Sequence, residues 1–289
     1  MGPKGRPREP IPSPGLPMIR IETEEGWTLI EHPEHARLAG RFAARWGNAE
    51  FAAPEPRADI LVAVTRHDDA WADRDRLPFL TRQGRPSAFS QELVGKYSAF
   101  EEIDLADYLR VRGRAAEVVA ADNPYAAVVI SMHTVDLLTT HADLSGLSDA
   151  DRDLHRLFIE GQRHAQAERI RSLSAAPGNG DAVTPARLQR AFEFLQACDS
   201  MSLAVCSRFP RPISLRHLHP RRDGTLARVE CTPLGNDTYR LSPYPLDAPR
   251  VVFELPCRHV AGREFTSQDA FRAAYAAAPM AHLEITIVR

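Results

Sequence analysis

Histidine and aspartate interrupt apolar helix stripes at four separate places in this 289-residue chain. His35 lies in a segment where Leu38, Ala39, Phe42 and Trp46 recur at helical spacing. His67 and Asp68 sit between Ile60, Val64 and Trp71 in a second such pattern. His133 shares a stripe with Ala126, Val129, Ile130 and Leu137, and Asp199 shares one with Leu188, Phe192, Leu195, Ser202 and Cys206. A core-facing stripe normally excludes ionisable groups, because an unpaired buried charge costs several kcal/mol. One such histidine is most simply a hydrogen-bonded core residue. Four helices doing this together require a shared compensator. A divalent metal supplies one, since imidazole and carboxylate are natural ligands of hard-to-borderline cations.

The elements that must position these residues can be read from periodicity and caps. Glu31–Trp46 and Ala58–Ala72 are expected to be helices. A third starts at Asn123-Pro124, where proline suits the first helical position. A fourth runs from Ser148, with Asp151 three residues on as a variant capping box, to about Ser174. A fifth starts at Thr184-Pro185. Ile19 and Ile21 alternate as a short strand. After Pro210 the pattern changes to Pro-rich turns and short apolar runs, Ala227–Cys231, Val251–Leu255 and Leu283–Val288, with one helix near Ser267–Ala278. The expected architecture is therefore mainly α: a helical bundle with a small β-rich C-terminal extension, α+β overall. Residues 1–17 hold six prolines and almost no apolar content, the signature of a disordered tail. Residues 18–209 form the helical metal-binding domain and 210–289 the β-rich subdomain.

The order His35 in EHARLAG, His67-Asp68 in TRHDDAW and Asp199 in LQACDSMSLAVC resembles the HD superfamily of metal-dependent hydrolases. The segments EHARLAGRFAARWG, HDDAW, NPYAAVVISMH and CDSMSLAVC together also look like an uncharacterised bacterial family of HD-like proteins, from about Met18 onward. The superfamily resemblance implies a helical bundle holding one or two divalent ions. His133 would then be an intervening histidine of a second metal. His141, His155 and His164 compete for the sixth position, and His164, beside Leu157 and Glu168 at the edge of its stripe, is preferred. The implied ligand set is His35, His67, Asp68, His133, His164 and Asp199, with Asp68 and His133 catalytic. A site of His35, His67, Asp68 and Asp199 holding one ion is equally compatible. The ion could be Fe, Mn, Zn, Ni or Mg. Asp69, Trp71, Asp75, Lys96 and Asp136 could line such a site, Arg66 lies about a third of a turn away from His67, and Arg216, Arg221 and Arg222 could reach an anionic substrate.

Three functions remain open on these residues. The first is hydrolysis of a phosphoric ester on a small anionic substrate by a metal-activated water. The second is oxygen-dependent cleavage at an HD-type di-iron pair. The third is metal or ligand binding without catalysis. Composition narrows the field: 44% hydrophobic and 26% charged residues with a net charge of -2 describe an ordinary globular protein. That balance lacks the basic excess expected of a nucleic-acid binder. No apolar run approaches the roughly 20 residues that span a bilayer, and residues 1–17 lack the apolar core of a signal peptide. The reading is a cytoplasmic protein, its oligomeric state open. The four cysteines form no C-x-x-C pair, which speaks against a zinc ribbon. G-x-G-x-x-G and P-loop patterns are absent. Ser131 and Ser202 fall in mid-helix, where a serine nucleophile elbow would not be built.

Overall fold

Strands from the two ends of the chain meet in one sheet. In the computed structural model, which describes residues 18–81, 84–88, 105–142, 144–176 and 181–289, β1 (Ile19–Glu22) and β2 (Gly26–Ile30) form a hairpin. β2 then pairs antiparallel with β8 (Arg250–Ala261), so that Trp27 faces Val260. β8 pairs along its length with β9 (Met280–Val288), and β9 lies parallel to β7 (Thr238–Ser242). β6 (Glu230–Gly235) and β3 (Ile213–Ser214) complete the order β1-β2-β8-β9-β7-β6-β3. These seven strands curl into a half-barrel. A separate two-stranded pair, β4 (His219–Pro220) and β5 (Leu226–Ala227), stands beside it.

Alternation explains which face of the sheet is covered. Val251, Phe253, Leu255 and Cys257 of β8 point inward, while Val252 and Glu254 point to solvent. Asn236 and Asp237 join β6 to β7 with φ of 50° and 51°. Positive φ at both positions of a two-residue loop matches the twist of a hairpin, and Asn and Asp tolerate it.

The inner face carries the helices: α1 (His32–Arg45), α2 (Arg57–Arg66), the short α3 (Ala72–Asp75), α4 (Leu105–Ala120), α5 (Pro124–Asp136), α6 (Asp149–Ala175) and α7 (Pro185–Cys206). Asn123 accepts from the Ala126 N–H and Ser148 from the Asp151 N–H, capping α5 and α6 as their sequences require. Phe42 of α1 meets Phe253 of β8 edge to face at 4.9 Å, which joins the helical and sheet layers into one core. Gly40 sets the approach of α1 to α2, since a Cβ there would fall 2.1 Å from Thr65 Oγ1. α8 (Gln268–Ala277) packs Phe271 and Tyr275 with Met18, Trp27 and Val260 in a smaller cluster.

The architecture corrects the expectation of a mainly α bundle with a minor β extension. About half the chain is helical, and the sheet spans residues 19–288, so the fold is α+β with a major sheet. The N-terminal strand that reads as an isolated element is an edge of that sheet. α4, which the periodicity of the other helices does not single out, is continuous and carries Arg110, Arg112, Gly113 and Arg114 among its buried apolar residues. The residues expected to be a disordered tail, 1–17, lie outside the described ones. Among the described residues, no helix is long and apolar enough to cross a membrane.

Candidate metal centre

Five buried side chains converge from α1, the end of α2, α5 and α7. His35 sits in the first turn of α1, directly after β2, and Asp75 anchors that start by accepting the His32 N–H at 2.6 Å. His67 terminates α2. Asp68 then leaves helical geometry, with φ −117° and ψ 16°, before a 3-10 turn at Asp69–Trp71. Consecutive residues inside a helix point about 100° apart. The break after His67 lets both side chains enter one pocket. His133 comes from α5, and Asp199 from the middle of α7.

The hydrogen bonds fix two of the imidazole tautomers. His67 Nδ1 lies 2.8 Å from the Val64 carbonyl oxygen, which can only accept, so Nδ1 donates. Ser202 Oγ donates its one proton to the His35 carbonyl at 2.7 Å, so it accepts from His35 Nδ1 at 3.2 Å. Nε2 of each ring then faces carboxylates, as a lone pair in the neutral ring or as an N–H donor in the protonated one, and His35 Nε2 is within hydrogen-bond distance of Asp68. His35 Nε2 is 3.1 Å from Asp68 Oδ2 and 3.8 Å from Asp199 Oδ1. His67 Nε2 is 3.4 Å from Asp199 Oδ1 and 3.7 Å from Asp68 Oδ2, and has no hydrogen-bond partner. His133 Nε2 is 3.7 Å from Asp199 Oδ2, while its Nδ1 is buried and unpartnered. A lone pair pointed at a carboxylate oxygen repels it, and either a proton on the ring nitrogen or a metal ion between the two relieves that repulsion.

The electrostatics express the same demand. Burial would lower His67, but Asp68 and Asp199 outweigh it and raise the ring to about 9. Burial lowers His35, against the opposing pull of Asp68, and lowers His133 to about 3. Burial would raise both carboxyls, yet His67, with Arg112 and His35, holds Asp68 well below its ordinary range. His67, His133 and His35 likewise hold Asp199 down. Two triads share His67: His35, His67 and Asp68, and His67, His133 and Asp199. In each, the ligand atoms lie within 4.8 Å of one another. These buried groups could hold a metal ion.

The structure brings together His35, His67, Asp68, His133 and Asp199, but not His164. The His164 side chain is 73% exposed and pairs with Glu168 on the outer face of α6. Its stripe is a solvent face, because Leu154 and Leu157 beside it are also exposed. His155 is buried but bonds the Leu138 carbonyl at 3.0 Å, tying α6 to the turn after α5. Arg66 pairs with Asp69 and Asp122. Asp136 bonds Gln196, and Arg216 approaches it at 3.7 Å. Arg221 and Arg222 belong to a different face, near Phe51 and Asn48. Lys96 and the side chain of His141 lie outside the described residues.

Two contributors are missed by sequence reasoning. Arg112 donates to Asp68 Oδ1 at 2.9 Å, its guanidinium 5.2 Å from the Trp71 ring centre. The available signal is an arginine flanked by apolar residues on a helix that is itself hard to read. Ser202, visible on the Asp199 stripe, orients His35 and is no nucleophile.

A family model described as "Protein of unknown function (DUF3891)" matches residues 18–262, and the chain belongs to that family. No curated protein and no solved structure matches the chain. The likeness to the HD superfamily is not upheld: the family match does not point to it, and the seven-stranded sheet is not part of a purely helical bundle.

Proposed function

We propose that this member of the DUF3891 family is a metal-dependent hydrolase of a small anionic substrate, a phosphoric ester, with one divalent ion held by His35, His67, Asp68, His133 and Asp199. The observation that carries the reading is His67 Nε2, a buried, unpartnered nitrogen set between two carboxylates. The same atom favours one ion over two. Its ring has committed Nδ1 to Val64, so a single lone pair is shared by both triads. Three imidazole nitrogens suit Zn, Fe, Mn or Ni better than Mg, which prefers oxygen.

A bound divalent ion would supply Lewis acidity toward a phosphoryl oxygen and a water acidified toward neutrality. Asp68 and Asp199 bring two negative charges to the pocket, and Arg112 offsets one of them while orienting Asp68. The tautomers of His35 and His67 are locked by Ser202 and Val64. His133 Nδ1 has no such partner, so this ring would be held by the ion and by packing alone. The oxygen-dependent alternative needs two redox-active ions, which the shared His67 disfavours.

The test begins with elemental mass spectrometry of protein purified without added metal, with Asp199→Asn alongside. The expected result is about one transition-metal ion per chain, lost in the variant. Turnover of p-nitrophenyl phosphate, abolished in a folded Asp68→Ala protein, is then expected. No metal in either protein overturns the site. Stoichiometric metal without phosphate-ester turnover overturns the hydrolase and leaves a metal-binding protein.

A further inference from the structure

The first three turns of α7 wall a cavity that the metal cluster does not use. It has a volume of about 1210 Å³ and lies at the far end of the α1–α2 pair, where Trp46 follows α1 and Ile60 begins the buried face of α2. The β4–β5 pair forms the opposite wall. Trp46, Ile60 and Phe194 give it an apolar floor, extended by Leu218 and by Leu226, which is 57% exposed. Arg187, Arg190, Arg221 and Arg222 line it against Glu55 and Glu193, four positive charges to two negative.

Two further observations point to an anion. α7 begins at Thr184-Pro185 with no side-chain cap and no acidic residue in its first turn, and it adds Arg187 and Arg190 to an end that is already positive. α6, by contrast, opens with a capping Ser148 and with Asp149 and Asp151. Arginines at a helix N-terminus are unfavourable until a negative group joins them. In the same wall, Arg221 Nε, a donor, is buried without a hydrogen-bond partner.

We infer that this groove binds an amphipathic organic anion. Its acidic head sits among Arg187, Arg190 and the start of α7, and its apolar body lies over Trp46, Phe194 and Leu226. The chain's own first residues are a poor occupant, because Lys4, Arg6 and Arg8 against Glu9 carry the same sign as the rim. None of the five metal-site side chains lines the groove, so the inference stands apart from the metal reading.

The test is a fluorescence titration of the full chain with 8-anilinonaphthalene-1-sulfonate, in EDTA and again with zinc, followed by displacement with decanoate or inorganic phosphate. The expected result is one saturable site, unchanged by EDTA, displaced by decanoate and not by phosphate. Arg187→Glu/Arg190→Glu should weaken it about tenfold or more, Leu226→Glu should weaken it as well, and Arg156→Glu on the outer face of α6 should not. Both Arg187 and Arg190 are exposed, so an unchanged unfolding midpoint is expected in the double variant. Absence of saturable binding, displacement by phosphate alone, or wild-type affinity in both groove variants overturns the proposal and leaves the metal centre untouched.

Discussion

Gln196 Nε2 donates to Asp136 Oδ2 at 2.6 Å, while its Oε1 accepts from His217 Nε2, also at 2.6 Å. Gln196 stands one helical turn before Asp199 on α7, and Asp136 one turn beyond His133 on α5. The bond therefore clamps the two helices next to the buried His133 and Asp199, which could hold an ion. Groups that fix metal ligands without touching the metal commonly matter to affinity.

Gln196→Leu should lower zinc affinity by about ten- to hundredfold while leaving the donors themselves in place. Competition titration against a chromogenic chelator measures this. An unchanged affinity would mean that packing alone sets the α5–α7 spacing.

Gly40→Ala should cost about 1–3 kcal/mol by overpacking, because the new methyl group would displace Thr65 and push α1 from α2. Urea unfolding reads the loss. Metal affinity should fall with it, since His35 and His67 ride on those two helices. Wild-type stability would show that the crossing opens without strain.

Ser202→Ala and His164→Ala form a contrasting pair. The first removes the acceptor that fixes the His35 tautomer and should weaken metal binding by about tenfold. The second alters a solvent-facing ring and should leave metal content as in wild type. Loss of metal in the His164 variant would contradict its placement.

Burial lowers His219 from its ordinary value of 6.5 to about 4. The unfolded chain therefore binds the proton first as pH falls. The contribution is fully present above pH 6.5 and is lost as pH drops toward 4, up to roughly 3 kcal/mol. Thermal unfolding between pH 7 and 4 should show a shallower decline in His219→Gln. An identical slope in both proteins would assign the acid sensitivity elsewhere.

The five converging donors were legible because each breaks an apolar stripe, a conflict that local sequence displays. His164 misled because its stripe, Leu154 and Leu157 included, is exposed, and periodicity does not say which face is covered. The extent of the sheet was hidden for another reason. Short apolar runs after Pro210 look like a minor extension until β1 and β2 are counted with them, and no local pattern announces that pairing. Arg112 escaped because its helix alternates arginines with small residues.

Thr28 Oγ1 and His259 Nδ1 meet at 2.8 Å across a separation of 231 residues. On the ribosome, β2 must wait for β8, and His35 follows β2 by only five residues. His35 thus follows a strand whose second neighbour, β8, is made more than 200 residues later. Synthesis of the helical layer therefore precedes completion of the sheet on which it packs.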